Sequence, residues 1–228
     1  MIILAGGFGN RLKSIVKDIP KPMASINGRP FLDYLLTYLI SYNLNKVILS
    51  VYYKHEMIKN YYRSRFQSID LSYSVDKKPY GTGGAIKKAM EFSKTQNIFI
   101  INGDTYFDIN INKLVKIHIE KDNDITMCLK QMFNFDRYGL VEINNKGMVS
   151  LLKDKRYYDS GLIDGGIYLI KKSIAGYLPK REKFSFNDFI IENIKNLKIG
   201  SMVFEDKFID IGIPEDYKLA QTVLKNLL

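Results

Sequence analysis

MIILAGGFGNRL, Met1 to Leu12, is the stretch on which the fold class turns. It opens with a short apolar run, a strand signal, and passes at once into Gly6, Gly7 and Gly9. An open parallel sheet collects its ligand at the carboxyl ends of its strands, and glycines there let backbone N–H groups approach phosphate oxygens. Two familiar signatures are missing. Leu12 stands where a dinucleotide fingerprint has its third glycine, and no Gly-Lys-Ser/Thr comes after it to make a P-loop. Neither NAD nor a P-loop ATPase is indicated, and a glycine turn after a first strand is as readily a plain tight turn as a phosphate site.

On the C-terminal side of this stretch, short runs rich in Ile, Val, Phe and Tyr alternate with segments of helical period, which predicts an α/β sheet with helices on its faces. Residues 2–4, 46–52, 71–75 and 97–101 read as strands, and 31–42, 55–65 and 85–92 as the helices between them, so the first half is expected to be parallel and doubly wound. From Ile125 the texture changes. Strands at 125–130, 139–143, 148–152 and 166–170 lie close together, with Asn144, Asn145 and Gly147 as a turn signal, and predict hairpins or mixed sheet. A helix over 187–196, a strand over 202–204 and a closing helix over 214–227, with Pro214 first and Glu215 and Asp216 in its first turn, complete the chain. The expected organisation is one compact domain, 1–228, of two lobes, 1–110 and 111–228. Only a helix comes after Tyr217, so no further C-terminal domain is expected.

Of the 228 residues, 46% are hydrophobic and 25% charged, with no apolar run long enough to span a bilayer, which argues against disorder and membrane insertion. The start has no basic segment ahead of its short apolar run, so no secretory signal is expected, and the single cysteine, Cys128, suits a reducing cytoplasm. Lys and Arg outnumber Asp and Glu by 34 to 24, a net charge of +10 that asks for an anionic partner. KNYYRSRF (Lys59–Phe66) interleaves aromatic and basic residues as a single-strand binder would, but Met57, Ile58, Tyr61, Tyr62 and Phe66 are at helical spacing and are expected to pack on the sheet. No RNA-binding or helix-turn-helix signature supports a nucleic acid partner. His55, His118 and Cys128 fall in helical or strand patterns away from any ligand spacing and read as structural.

The glycine loop gains meaning from two cations on its C-terminal side. Arg11 comes at once, and Lys21 sits between Pro20 and Pro22. A guanidinium grips phosphate oxygens in a fork and an ammonium acts as a point charge, so the pair suits a leaving pyrophosphate.

LAGGFGNRL (Leu4–Leu12) with PKPM (Pro20–Met23) resembles the opening motif of the sugar-1-phosphate nucleotidyltransferases, a G-G-x-G-x-R-L run and then K-P. The resemblance continues in the family's order through NGRPFLDYLL (Asn27–Leu36), YGTGGAI (Tyr80–Ile86), NGD (Asn102–Asp104), YGLVE (Tyr138–Glu142), DGGIYLI (Asp164–Ile170) and DIGIPEDY (Asp210–Tyr217). It implies a Rossmann-like, mainly parallel mixed sheet flanked by helices, with a nucleotide-binding first lobe and a sugar-binding second lobe. It also implies in-line attack of a sugar phosphate on the α-phosphorus of a nucleoside triphosphate, chemistry that needs positioning and charge neutralisation rather than a protein nucleophile. The first segment and the compact length are most similar to members using GTP and a heptose 1-phosphate. Mannose or glucose 1-phosphate, and CTP or UTP, stay open at this point.

The resemblance also assigns residues. Leu4, Ala5, Gly6, Gly7, Gly9, Asn10 and Arg11 would meet the nucleotide, with Arg11 and Lys21 catalytic. Asp76 falls where the family reads the base with Gln or Glu; a carboxylate can accept from guanine N1–H and its amine together, and also from uracil N3–H. Gly81, Thr82 and Gly84 would close over the base or simply enter a helix. Asp104 and Asp210 fall on the family's metal-binding aspartates and would hold Mg²⁺. On the sugar side are Gly139, a backbone donor, Asp154 and Asp164, for hydroxyls, and Lys155, for the phosphate; around Lys155 a solvated basic loop with Lys153 and Arg156 competes. A homodimer through apolar positions of the second lobe is the expected assembly.

Overall fold

Ile2 and Ile3 are both fully buried in β1 (Ile2–Leu4), and they point into different cores, one on each face of the central sheet. That alternation is what a strand covered on both sides requires. A computed structural model of the chain describes all residues but Lys13, Ser14, Lys17, Asn226 and Leu228; the side chain of Asn10, expected on the nucleotide, also lies outside the described part.

After β1 come a small hairpin, β2 (Ser25–Ile26) with β3 (Arg29–Pro30), and then α1 (Phe31–Ile40), β4 (Lys46–Val51), α2 (His55–Tyr62), β5 (Arg65–Phe66), β6 (Ile69–Val75), α3 (Gly81–Met90) and β7 (Asn97–Asn102). Strand β1 pairs in parallel with β4 on one side and β7 on the other, and β4 pairs in parallel with β6. The order β7-β1-β4-β6 reverses direction at β1, so the carboxyl ends of β1 and β7 flank a topological switch point. Gly103 N–H donates to the carbonyl of Leu4 at 2.9 Å, tying the two ends together.

The second half contains β8 (Thr105–Phe107), α4 (Ile111–Glu120), β9 (Ile125–Phe135), β10 (Leu140–Ile143), β11 (Val149–Leu152), β12 (Tyr158–Lys171), α5 (Phe186–Asn193), β13 (Ile199–Phe204), β14 (Phe208–Asp210) and α6 (Pro214–Val223). The long β12 runs antiparallel to β7 and β10 on one edge and to β9 on the other, and β13 lies parallel to β9. A ten-stranded mixed sheet results, as the change of texture at Ile125 predicted. Helices α1, α2, α4 and α6 contribute to the core on the Ile3 face, and α3 and α5 to that on the Ile2 face. Each Leu, Ile or Phe so covered stabilises the fold by roughly 1.5–3 kcal/mol.

Several expectations change: the strand expected over 166–170 runs from Tyr158 to Lys171, the closing helix expected over 214–227 spans Pro214–Val223, and two helices of the first half differ. The helix expected over 55–65 stops at Tyr62, because Arg63 takes a φ of 51° and the chain turns into β5, which pairs with β6. Of its aromatic stripe, Ile58 and Tyr62 are buried, whereas Met57 and Tyr61 face solvent. The helix expected from Ala85 begins at Gly81, so Gly81, Gly83 and Gly84 form the entry of α3, the second of the two readings these glycines allowed. Their reason is contact: a Cβ on Gly81 would stand 2.5 Å from the carbonyl oxygen of Phe184, and one on Gly84 2.2 Å from that of Glu182. The segment leading into α5 lies directly against this helix entry. His118 is buried, bonded through Nδ1 to Thr126 at 2.8 Å, with its pKa lowered to about 4 by burial, and Cys128 is buried with its thiol pushed up.

Candidate active site

Two clefts open at the switch point and share one wall residue, Asn102, at the carboxyl end of β7. The first, of about 290 Å³, is lined by Leu4, Gly6 and Gly7 from the end of β1, by Asp76, Gly81 and Thr82, and by Asp104. Phe8, Tyr52 and Tyr80 supply its aromatic walls, Phe8 meeting Tyr52 edge-on at 5.4 Å between centroids. A Cβ on Gly7 would meet nothing within 4 Å, so this part of the loop faces open cleft. Ala5 is fully buried instead, its N–H bonded to the carbonyl of Ser50 at 2.7 Å. Gly9 takes a φ of 62° and lies over the stem of Lys21.

Asp76 comes directly after β6, its N–H held by the carbonyl of Val51 at 2.9 Å. It is 8% exposed, and its Oδ1 is buried with no hydrogen-bond partner. Burial raises its pKa to about 6, with Lys88 opposing the shift. A buried acceptor left free in a nucleotide-sized cleft is suited to donors from a ligand.

Beyond the loop, Lys21 is 8% exposed and bridges two carboxylates: its Nζ donates to Asp104 and lies 3.6 Å from Asp210 Oδ1. The acids meet because β8 and β14 pair antiparallel, with Thr105 opposite Asp210. Tyr138 donates its hydroxyl to Asp210 Oδ2 at 3.3 Å. Burial first, then the neighbouring Asp104, push the Asp210 pKa up, while Lys21 and Arg137 oppose. Asp210 Oδ1 is buried and makes no hydrogen bond. Two adjoining carboxylates, one with an orphaned oxygen, that already accept a cation between them fit a divalent metal completed by phosphate oxygens and water. Among the described residues there is no cluster of three or more His, Cys, Asp or Glu, so no all-protein metal cage competes. Arg11, in the 3₁₀ turn Asn10–Leu12, is exposed, borders neither cleft and has no partner among the described residues.

The second cleft, of about 370 Å³, is lined by Asn102, Tyr138, Gly139, Asp154, Lys155 and Asp164, together with the first turn of α5. Gly139 is required by a close approach, since a Cβ there would stand 2.4 Å from the carbonyl oxygen of Lys153. Asp164 has one oxygen on the Gly166 N–H at 2.9 Å and the other on the Tyr168 hydroxyl; burial raises its pKa against these bonds. The three crowded cations sort themselves. Lys153 and Lys155 both border the cleft, but Lys153 pairs with Glu142 whereas Lys155 has no ion-pair partner among the described residues, and Arg156 lies 5.1 Å from the centre of the Tyr158 ring.

Sequence reasoning passed over Asn102, Tyr138, Asn187 and Asp188, the last two lining the second cleft from α5. Asn102 and Tyr138 stood inside the NGD and YGLVE motifs and were legible there. Asn187 and Asp188 carried no comparable signal, since they reach the cleft only through the packing of α5.

The architecture is that of a nucleotide-binding α/β protein with its ligand clefts at the strand ends. The chain belongs to the nucleotidyl transferase family, whose model matches residues 1–226. It is 50% identical over 216 residues to a D-glycero-alpha-D-manno-heptose 1-phosphate guanylyltransferase of Campylobacter jejuni, covering 95% of this chain and 96% of that one. To the protein of the same name from Aneurinibacillus thermoaerophilus it is 44% identical, covering 100% and 99%. The crystal structure of HddC from Yersinia pseudotuberculosis complexed with GMP-PN superposes with a TM-score of 0.86 at 34% identity, covering 97% of both chains.

Proposed function

We propose that this nucleotidyltransferase transfers GMP from GTP to D-glycero-α-D-manno-heptose 1-phosphate, giving GDP-heptose and pyrophosphate by direct in-line attack, with no covalent enzyme intermediate. The observation that carries the reading is the pair of clefts meeting at Asn102 beside Asp104, one with a free buried carboxylate and one with a free cation. The identity of the sugar and of the base is supported by the names of the two relatives of nearly full-length similarity.

In this reading the first lobe, 1–110, holds the nucleotide and the second, 111–228, the sugar. Backbone N–H groups of Gly6, Gly7 and Gly9 cradle the phosphates, and Asp76 accepts from guanine N1–H and its amine. Gly81 and Thr82 border the base. Gly139 offers its N–H to a sugar hydroxyl, Asp154 and Asp164 accept from others, and Lys155 pairs with the sugar phosphate. Asp104 and Asp210 would hold Mg²⁺, which supplies charge neutralisation on the phosphates when bound. Lys21, between those acids, and Arg11, free at the loop, take the charge that develops on the leaving pyrophosphate.

The same reading places the enzyme in the cytoplasm; among the described residues no helix is long and apolar enough to cross a membrane. It makes the active form a homodimer through the second lobe, where Phe133 (68% exposed) and Tyr157 (59%) are open. Pyrophosphate release from a panel of GTP, CTP, UTP and ATP crossed with heptose, mannose and glucose 1-phosphates tests the activity. Turnover is expected with GTP and the heptose phosphate; a preference for any other pair overturns that assignment.

A further inference from the structure

Asp210 offers its two oxygens to different environments. Oδ2 receives the Tyr138 hydroxyl at 3.3 Å, whereas Oδ1, buried and without a hydrogen bond, lies 3.6 Å from the Lys21 ammonium. The phenol is itself held. The Arg137 guanidinium sits 5.3 Å from the centre of its ring, and Phe208 packs edge-on at 6.2 Å. Arg137 is anchored in turn by Asp216, at 2.5 Å, in the first turn of α6. A guanidinium committed in this way supports a neighbour rather than gripping a phosphate. A phenol carries its proton at neutral pH, so the Tyr138 hydroxyl is the donor in this contact.

We propose that Tyr138 is a positioning residue for the metal-binding carboxylate. By engaging Oδ2 it leaves Oδ1 of Asp210 free, so that this oxygen would be available to a divalent cation, and the Arg137–Asp216 pair holds its ring in place. A carboxylate with a free rotor must be ordered each time a cation binds; one already hydrogen-bonded from behind is ordered beforehand. The proposal rests on the reading of Asp104 and Asp210 as metal ligands. It also competes with a simpler role, because Tyr138 lines the sugar cleft and a wall residue there would affect the sugar alone.

Mn²⁺ binding, monitored by the loss of the free-ion EPR signal in the presence of a non-cleavable GTP analogue, separates the two roles. Tyr138→Phe keeps the ring and removes the donor. It is expected to weaken Mn²⁺ binding about tenfold, leaving the affinity for the analogue in EDTA unchanged. Wild-type Mn²⁺ affinity in Tyr138→Phe, with only the KM for the sugar phosphate raised, overturns the proposal and makes Tyr138 a wall. Asp210→Asn serves as the control for the underlying reading: if it binds Mn²⁺ as tightly as wild type, the metal assignment falls and takes the proposal with it. Should thermal melting show Tyr138→Phe unfolded, Arg137→Met, which keeps the hydroxyl but removes the ring's support, is expected to weaken Mn²⁺ about threefold. An unchanged affinity in that variant overturns the proposal as well.

Discussion

The first cleft, proposed for the nucleotide, is lined by the glycine loop, by the carboxylates Asp76 and Asp104 and by the rings of Phe8, Tyr52 and Tyr80. The second cleft, proposed for the sugar, is surrounded by more charged side chains: Asp154, Lys155, Asp164 and Asp188. The difference comes from the sheet beneath each. Parallel strands β1 and β7 end together, and the glycine loop that leaves β1 opens on the first cleft there, an arrangement that suits phosphates and a flat base. Antiparallel strands β10, β11 and β12 bond to one another, and the second cleft takes its side chains from these strands, from their connections and from α5. A flat base can be chosen by one well-placed acceptor, whereas a polyol needs several.

Four substitutions put this contrast to the test. The largest effect is expected at the seam between the clefts, where Asp104→Asn should lower kcat by about a thousandfold while leaving GTP binding in EDTA close to wild type. A single-turnover assay beside nucleotide titration checks this, and a loss confined to KM would show that Asp104 serves binding rather than the chemical step.

Next comes Asp76→Asn, expected to lower kcat/KM for GTP roughly 10- to 100-fold, the worth of a bidentate base contact. The pH dependence carries its own sign. With its pKa raised to about 6, Asp76 is an acceptor above that pH and a neutral acid below it. Wild-type kcat/KM for GTP should therefore be level above neutrality and fall as the pH drops through about 6, and Asp76→Asn should lack that limb. An identical acid limb in the variant would assign it to another group.

A more modest effect is expected across the second cleft. Lys155→Ala should raise the KM for the sugar phosphate about tenfold and leave that for GTP alone, whereas Lys153→Ala, already paired with Glu142, should change either by less than about twofold. Equal effects of the two would mean that the cleft reads general positive charge and not one ammonium.

How much of this was legible beforehand depended on the range of the interaction. Strand β1 and its glycine loop lie within a dozen residues, and apolar periodicity and glycine punctuation report on the local backbone, so both were readable. Gly81 and Gly84 were equally visible, as a loop over the base or as a helix entry, but the carbonyls of Phe184 and Glu182 that require glycine there come from a distant segment. Tyr138 sat in plain view in YGLVE, yet nothing local says that its hydroxyl reaches Asp210.

Local pattern in the chain was thus enough for the α/β class, the change from parallel to mixed sheet near Ile125, and the kinds of chemical group gathered for a phosphorylated ligand. Which of those groups meet was settled by packing over long range. The register of β8 on β14 places Asp210 beside Asp104, Lys21 stands between them, and Lys155 rather than Lys153 or Arg156 is left free at the cleft. The physical reason is that backbone preferences act over a few residues, whereas the partner of a buried charge is chosen by whichever distant strand or helix packs against it.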